Sequence, residues 1–173
     1  GREVRRVSSR VPGPEPKYSA YAYTLPGGWQ VLAGRTDADN EVLSLRVAGQ
    51  RDWWFHVRGM PGSHVILRVP DEREPGREVL EQAAAVAAWH SKARGGGTVA
   101  VSCTRARHVG KPRGAPAGTV SISRETVLKV RPALPPPLFA AADKAIAALE
   151  RGEDPGPTPP ELAALLRPSV QPY

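Results

Sequence analysis

The chain has 173 residues, with 24 Lys and Arg against 17 Asp and Glu, a formal net charge of +7 and an isoelectric point near 10.1. A length of this order fits one domain with tails, and no apolar run is long enough to predict a membrane-spanning helix. A single cysteine, Cys103, excludes an internal disulfide framework and a cysteine-based zinc site; together with a basic start that lacks an apolar signal segment, it predicts a reducing, cytoplasmic location.

Residues 1–17 are polar and close on a Pro-Gly-Pro-Glu-Pro run, which predicts a flexible basic arm; the Gly1 start suggests a trimmed or processed end. Ser19–Leu25 alternates and carries tyrosines, so it reads as a strand. Pro26–Gly28 is a turn, and Trp29–Arg35 is the returning strand of a hairpin. Asp37–Asn40 are cap-type residues that open a helix with Val42, Leu43 and Leu45 as its apolar face. Asp52–Val57 and Ser63–Val69 are strand-like. In the first, Trp53, Phe55 and Val57 point one way and Trp54, His56 and Arg58 the other. In the second, Val65, Leu67 and Val69 oppose His64, Ile66 and Arg68. The pattern predicts a sheet with one face on a core and the other open to a partner.

The clearest helix runs from Gly76 to a stop at Gly95, with Leu80, Ala84, Ala87 and Ser91 on one stripe and Lys92 and Arg94 in its last turn. Thr98–Thr104 reads as a strand, Arg105–Ser123 as a basic Gly/Pro loop running into a strand, and Thr126–Val130 as the last strand. The expected fold is α+β: a single compact domain with a mainly antiparallel sheet packed by one Ala-rich helix. A Pro-rich tail with short helices follows, at Leu138–Gly152 and Glu161–Ser169. The expected division is an arm over 1–17, the domain over 18–131 and the tail over 132–173.

Charge is unevenly placed. Residues 1–132 hold 21 Lys and Arg against 12 Asp and Glu, whereas 133–173 hold 3 against 5. From Gln82 to Arg124 there is no acid, yet Lys92, Arg94, Arg105, Arg107, Lys111, Arg113 and Arg124 fall there. A bias of arginine over lysine explains the choice of cation but not the missing acids, so a polyanion-binding face is expected, most often for nucleic acid.

Catalytic signals are weak. His56, His64, His90 and His108 fit no metal-ligand spacing, and hydrogen-bonded sheet histidines are a simpler reading of His56 and His64 than a metal pair. Ser63 and His64 are neighbours on a strand and point apart, so they form no Ser–His pair. Cys103 near Arg105 and Arg107 is a candidate thiolate, but a lone thiol in an apolar strand reads as buried and inert. No catalytic residue, metal or cofactor is assigned. The His108–Gly118 loop is rich in glycine and carries Lys111 and Arg113, a composition that suits a phosphate and also suits a plain solvated turn. Trp54 and His56 could stack on unpaired bases beside Arg58, with Trp53 and Phe55 in the core; the alternative is that both tryptophans are core.

Four segments, "VLAGRTDADNEVL", "DWWFHVRGMPGSHVILR", "AAAVAAWHSKAR" and "VGKPRGAPAGTV", occur in that order. Together they resemble the NFACT-R domain, the RNA-binding-type domain of the RqcH, NEMF and fibronectin-binding-protein-A-like NFACT family of ribosome quality control. The resemblance spans roughly Tyr21 to Val130, and it implies a compact α+β domain that binds RNA in proteins engaging tRNA and the large ribosomal subunit. It points to Gly34, Arg35 and Asn40; to Asp52, Trp54, His56, Pro61, Gly62, Ser63 and His64; to Ser91, Lys92 and Arg94; and to Lys111, Pro112, Gly114 and Gly118. Thr36 stands where the family usually has Asn. The resemblance covers neither the family's N-terminal domain nor its helix-hairpin-helix and coiled coil, so tail elongation is not carried over.

The expected function is an RNA-binding module for tRNA or ribosome-associated rRNA. Its expected contacts are Arg35, Asn40, Trp54, His56, Arg58, Ser63, His64, Ser91, Lys92, Arg94, Arg105, Arg107, Lys111 and Arg113. In this picture His56, Arg58 and His64 line a shallow groove flanked by Lys111–Arg113 and Lys92–Arg94. The ribosome is a further expected partner, and no membrane is. The competing readings are an RNA-processing or tRNA-modifying enzyme subunit using His56 and His64, and a ribosome-docking module acting through the tail helices.

Overall fold

The computed structural model describes residues 16–136 and 140–157. β1 (Ala20–Thr24) and β2 (Gln30–Gly34) form the expected hairpin, with Tyr21 opposite Ala33 and Tyr23 opposite Val31. Thr36 caps α1 (Asp37–Val42), its Oγ1 accepting from Asp39 N, and the chain continues through a π-helical turn at Leu43–Val47. β3 (Trp53–Val57) and β4 (Val65–Leu67) follow, then α2 (Arg77–Trp89), β5 (Val99–Arg105) and a 3-10 turn at Ala106–His108. Two short strands, β6 (Val109–Gly110) and β7 (Ser121–Ile122), pair with each other before β8 (Thr126–Val130).

The main sheet has six strands in the order β1-β2-β4-β3-β5-β8, each neighbouring pair antiparallel. The fold is α+β, as expected. Alternation places Val31, Ala33, Phe55, Val65, Leu67, Val101, Cys103, Leu128 and Val130 on one face. α2 packs there through Ala83, Ala84, Val86, Ala87 and Ala88, all fully buried. Alanine favours the helix and lets its axis lie close to the sheet.

Two expectations need correction. The second face of the sheet is not open. Leu43, Val47 and Ala48 from the π-helical turn, with Ala106 and Val109, cover Trp54 and Ile66 and form a second core. The expected basic loop supplies part of that cover as the β6–β7 hairpin, because the strand register leaves Leu32, Trp54 and Ile66 apolar on this side. Second, α2 ends at Trp89, so Lys92 and Arg94 lie beyond its last turn. Ser91 leaves the helix to bridge to Gly62, and its Oγ donates to Ala88 O (2.7 Å). Arg94 still caps the helix from outside, its Nε donating to Trp89 O (2.7 Å).

In the tail, α3 (Ala140–Glu150) matches the expected first helix and stops at Gly152, whose φ of 77° suits glycine. Residues 1–15 and the expected helix at Glu161–Ser169 lie outside the described residues. Among the described residues no helix is long and apolar enough to cross a membrane.

Candidate nucleic-acid interface

Three chain segments meet at one end of the sheet. β2 runs out at Gly34 into Arg35, Thr36 and Asp37; the β3–β4 connection brings Pro61, Gly62 and Ser63; and the chain leaving α2 brings His90 to Arg94. Backbone pairing locks them, with Ser63 N donating to His90 O (2.8 Å) and Lys92 N to Pro61 O (3.3 Å). Ser63 Oγ donates to Gly34 O (2.5 Å). The two motif glycines permit this approach. A Cβ on Gly62 would sit 2.8 Å from Ser91 Cβ, and one on Gly34 would sit 2.1 Å from Asn40 Oδ1. That Asn40 oxygen accepts from His64 N (3.0 Å), which ties α1 to the start of β4.

Between these segments lies a cleft of about 390 Å³. Its wall on the β1 side is aromatic. Tyr21 stacks on His90 (centroids 4.7 Å, planes 17° apart), and the Tyr23 hydroxyl lies 2.6 Å from His90 Nε2. The Arg35 guanidinium lies 4.9 Å from the Tyr21 centroid, and Tyr21 remains 42% exposed. Burial, with Arg94 nearby, lowers the His90 pKa and favours the neutral ring. Arg35, Lys92 and Arg94 are exposed and make no ion pair among the described residues. Asp37 lines the cleft beside them.

The other end of the sheet is also rich in arginine, but there the charges are paired. Arg51 and Arg105 both contact Glu74, Arg73 contacts Asp71, and Arg68 contacts the buried Asp52 (2.9 Å). Arg105 also donates to Arg51 O (2.5 Å) and lies 4.2 Å over the Trp53 ring. It is a structural strut rather than a free cation.

The expected site therefore divides. Arg35, Asn40, Ser63, Ser91, Lys92 and Arg94 converge on the cleft. Trp54 and His64 do not, being only 3% and 5% exposed under the β6–β7 cover. Trp54 Nε1 donates to Ser44 Oγ (2.9 Å), and Ser44 Oγ lies 2.7 Å from His64 Nδ1. The partly buried His56 ring sits against both (6.0 Å to Trp54, 5.4 Å to His64). Burial, and then the neighbouring His56, pushes His64 down to about 4; burial also lowers His56. A hydroxyl beside an imidazole resembles a catalytic pair, but this one is sealed and works as a structural link. No cluster of metal-ligating side chains occurs among the described residues.

Other expected contacts are engaged or remote. Lys111 bonds to Glu41 and to Pro116 O (2.9 Å), and the Lys111 contact holds the Glu41 carboxyl below its ordinary range. Arg58 lies 3.9 Å from Glu125. Arg107 is exposed on the 3-10 turn after β5, away from the cleft, and Arg113 is exposed on the β6–β7 connection. That connection touches α1 where Gly118 backs onto Asp37, so the hairpin tip abuts the cleft's α1 wall. Sequence reasoning missed Tyr21, His90 and Asp37. The spacing of Tyr21 and Tyr23 does place both rings on one face of a strand, but only the tertiary structure brings His90 to them.

Comparison with known proteins identifies the family. The model of the "NFACT protein RNA binding domain" family matches residues 19–124. The Rqc2 homolog RqcH of Bacillus subtilis is 38% identical over 110 residues, covering 64% of this chain and 19% of that protein. The RqcH of Streptococcus suis is 35% identical over 102 residues, covering 59% and 18%. The chain thus corresponds to about a fifth of the length of these relatives. Among solved structures, the C-terminal part of the fibronectin/fibrinogen-binding protein from Streptococcus suis superposes with a TM-score of 0.62 at 30% identity, covering 75% of this chain and 52% of that one. With more than half of its residues matched by the family model, the chain belongs to the NFACT protein RNA binding domain family.

Proposed function

We propose that this chain is an RNA-binding module that engages tRNA or ribosome-associated RNA through the cleft end of its sheet. The observation that carries the reading is the contrast between the two ends. At one end arginines are neutralised by Glu74, Asp71 and Asp52, whereas Arg35, Lys92 and Arg94 converge at the other, beside Asp37, without an ion pair among the described residues. Unpaired cations are free to exchange counterions for phosphates, whereas paired ones would first have to break an ion pair. Membership in the family and the likeness to RqcH proteins support RNA as the polyanion, and ribosome association is the corresponding proposal for the cellular setting.

The test is fluorescence anisotropy of labelled tRNA and of an unstructured RNA of equal length across a salt series. Each phosphate contact contributes about 0.7–0.9 to the slope of log K against log salt. The triple variant Arg35→Ala, Lys92→Ala, Arg94→Ala is expected to flatten that slope by about 2 or more. An unchanged slope, or no binding by the parent protein at low salt, refutes the reading.

A further inference from the structure

We infer that the cleft accepts one unpaired nucleotide of the bound RNA, its base stacked on Tyr21 and its flanking phosphates held by Arg35 and Lys92. This rests on the RNA-binding reading above and specifies what the site recognises. Three observations lead to it. The cleft is shallow and open, with a volume of about 390 Å³, room for a small ligand. Its wall carries a π-ladder that the fold holds in place. His90 is fixed by the Tyr23 hydroxyl at 2.6 Å and backs the Tyr21 ring at 4.7 Å, so Tyr21 is supported from behind yet remains 42% exposed. What rests over that ring is the exposed Arg35 guanidinium, which has no ion pair among the described residues to anchor it. A base can take its place on the ring while the guanidinium swings to the adjacent phosphate.

The third observation is Asp37, which lines the same cleft as the cations. A site for a bare phosphate would be weakened by that anion. A nucleoside brings donors, the exocyclic amine or the ribose hydroxyls, that a carboxylate can accept. Cations for phosphates, an aromatic platform for a base and an acceptor for the sugar or base edge together describe a nucleotide rather than a phosphate alone. Unpaired bases presented to aromatic side chains are a general route to RNA recognition.

The experiment compares two labelled RNA hairpins that share one stem sequence and one tight, structured loop, one carrying a single extra bulged nucleotide in the stem and the other a stem without it, by anisotropy at fixed salt. The parent protein is expected to favour the bulged hairpin by about tenfold, the size of one base–aromatic stack. Tyr21→Ala is expected to erase that preference and leave affinity for the paired hairpin within about twofold; Tyr21→Phe, which keeps the ring, is expected to retain it. Thermal melts of both variants check that the edge strand remains folded, and retention by Tyr21→Phe separates stacking from a packing defect. Equal binding of the two hairpins by the parent protein, or a preference that survives Tyr21→Ala, overturns the inference. Tight, salt-dependent but equal binding leaves the RNA-binding reading standing, whereas no binding to either hairpin removes both.

Discussion

The buried histidine pair makes acid stability a direct test of the second core. His64 is 5% exposed and its pKa is pushed down to about 4, chiefly by burial. An unfolded histidine titrates near 6.5, so below that pH the unfolded chain takes up a proton that the folded chain refuses. At about 1.4 kcal/mol per pH unit, folding stability should fall by about 2 kcal/mol between pH 6.5 and 5, and by about 3 kcal/mol once pH 4 is reached. His56, lowered in the same direction, adds to the loss. The carboxyls of Asp39, Glu41, Asp71 and Glu74 are held low by hydrogen bonds and cations, so their contribution is lost only at lower pH, as the medium falls through the ordinary carboxylate range near 4. The window from 6.5 to 5 therefore isolates the imidazoles. Urea melts of the parent protein and of His64→Gln across that window provide the assay. The variant should start less stable at pH 7 and show a profile flatter by about 2 kcal/mol. Parallel profiles would mean that His64 is not sealed from water, and the account of the β6–β7 cover would fail.

Other consequences can be checked on the same material. Gly34→Ala places a methyl against Asn40 Oδ1 and should cost about 2–3 kcal/mol by breaking the bond to His64 N, read as a lower urea midpoint with an unchanged m-value. Cys103, 2% exposed with its thiol pushed up to about 12 by burial, should resist iodoacetamide at pH 8 and react fully in urea. Arg105→Ala should lower the melting temperature but leave the salt slope of RNA binding unchanged, because Arg105 supports Trp53 and Glu74. Arg35→Ala should do the reverse, reducing the slope by about 0.7–0.9.

Much of the architecture was legible because it is written in local periodicity. The period-2 pattern through Trp53–Val57, the cap-type residues at Asp37–Asn40 and the Ala-rich run from Arg77 each identify their elements without reference to anything distant. Charge could be counted along the chain, but not its partners. The acid-free segment from Gln82 to Arg124 looks uniformly available, yet Arg105 is neutralised by Glu74 and Lys111 by Glu41, acids 31 and 70 residues earlier. Likewise Trp54 alternates onto a face that looks open to a partner until the π-helical turn and the hairpin close over it.

By itself the sequence determined the strands and the main helix, the antiparallel α+β class and an excess of positive charge, all properties set by neighbours a few residues apart. Only the tertiary structure decided which cations remain unpaired and which aromatic ring faces solvent. Those depend on contacts between β1, the β3–β4 connection and the end of α2, segments far apart in the chain that carry no mutual signal until they meet. The cleft that joins Tyr21, Arg35, His90 and Lys92 exists because glycines at 34 and 62 let three backbones approach where any Cβ would hold them apart.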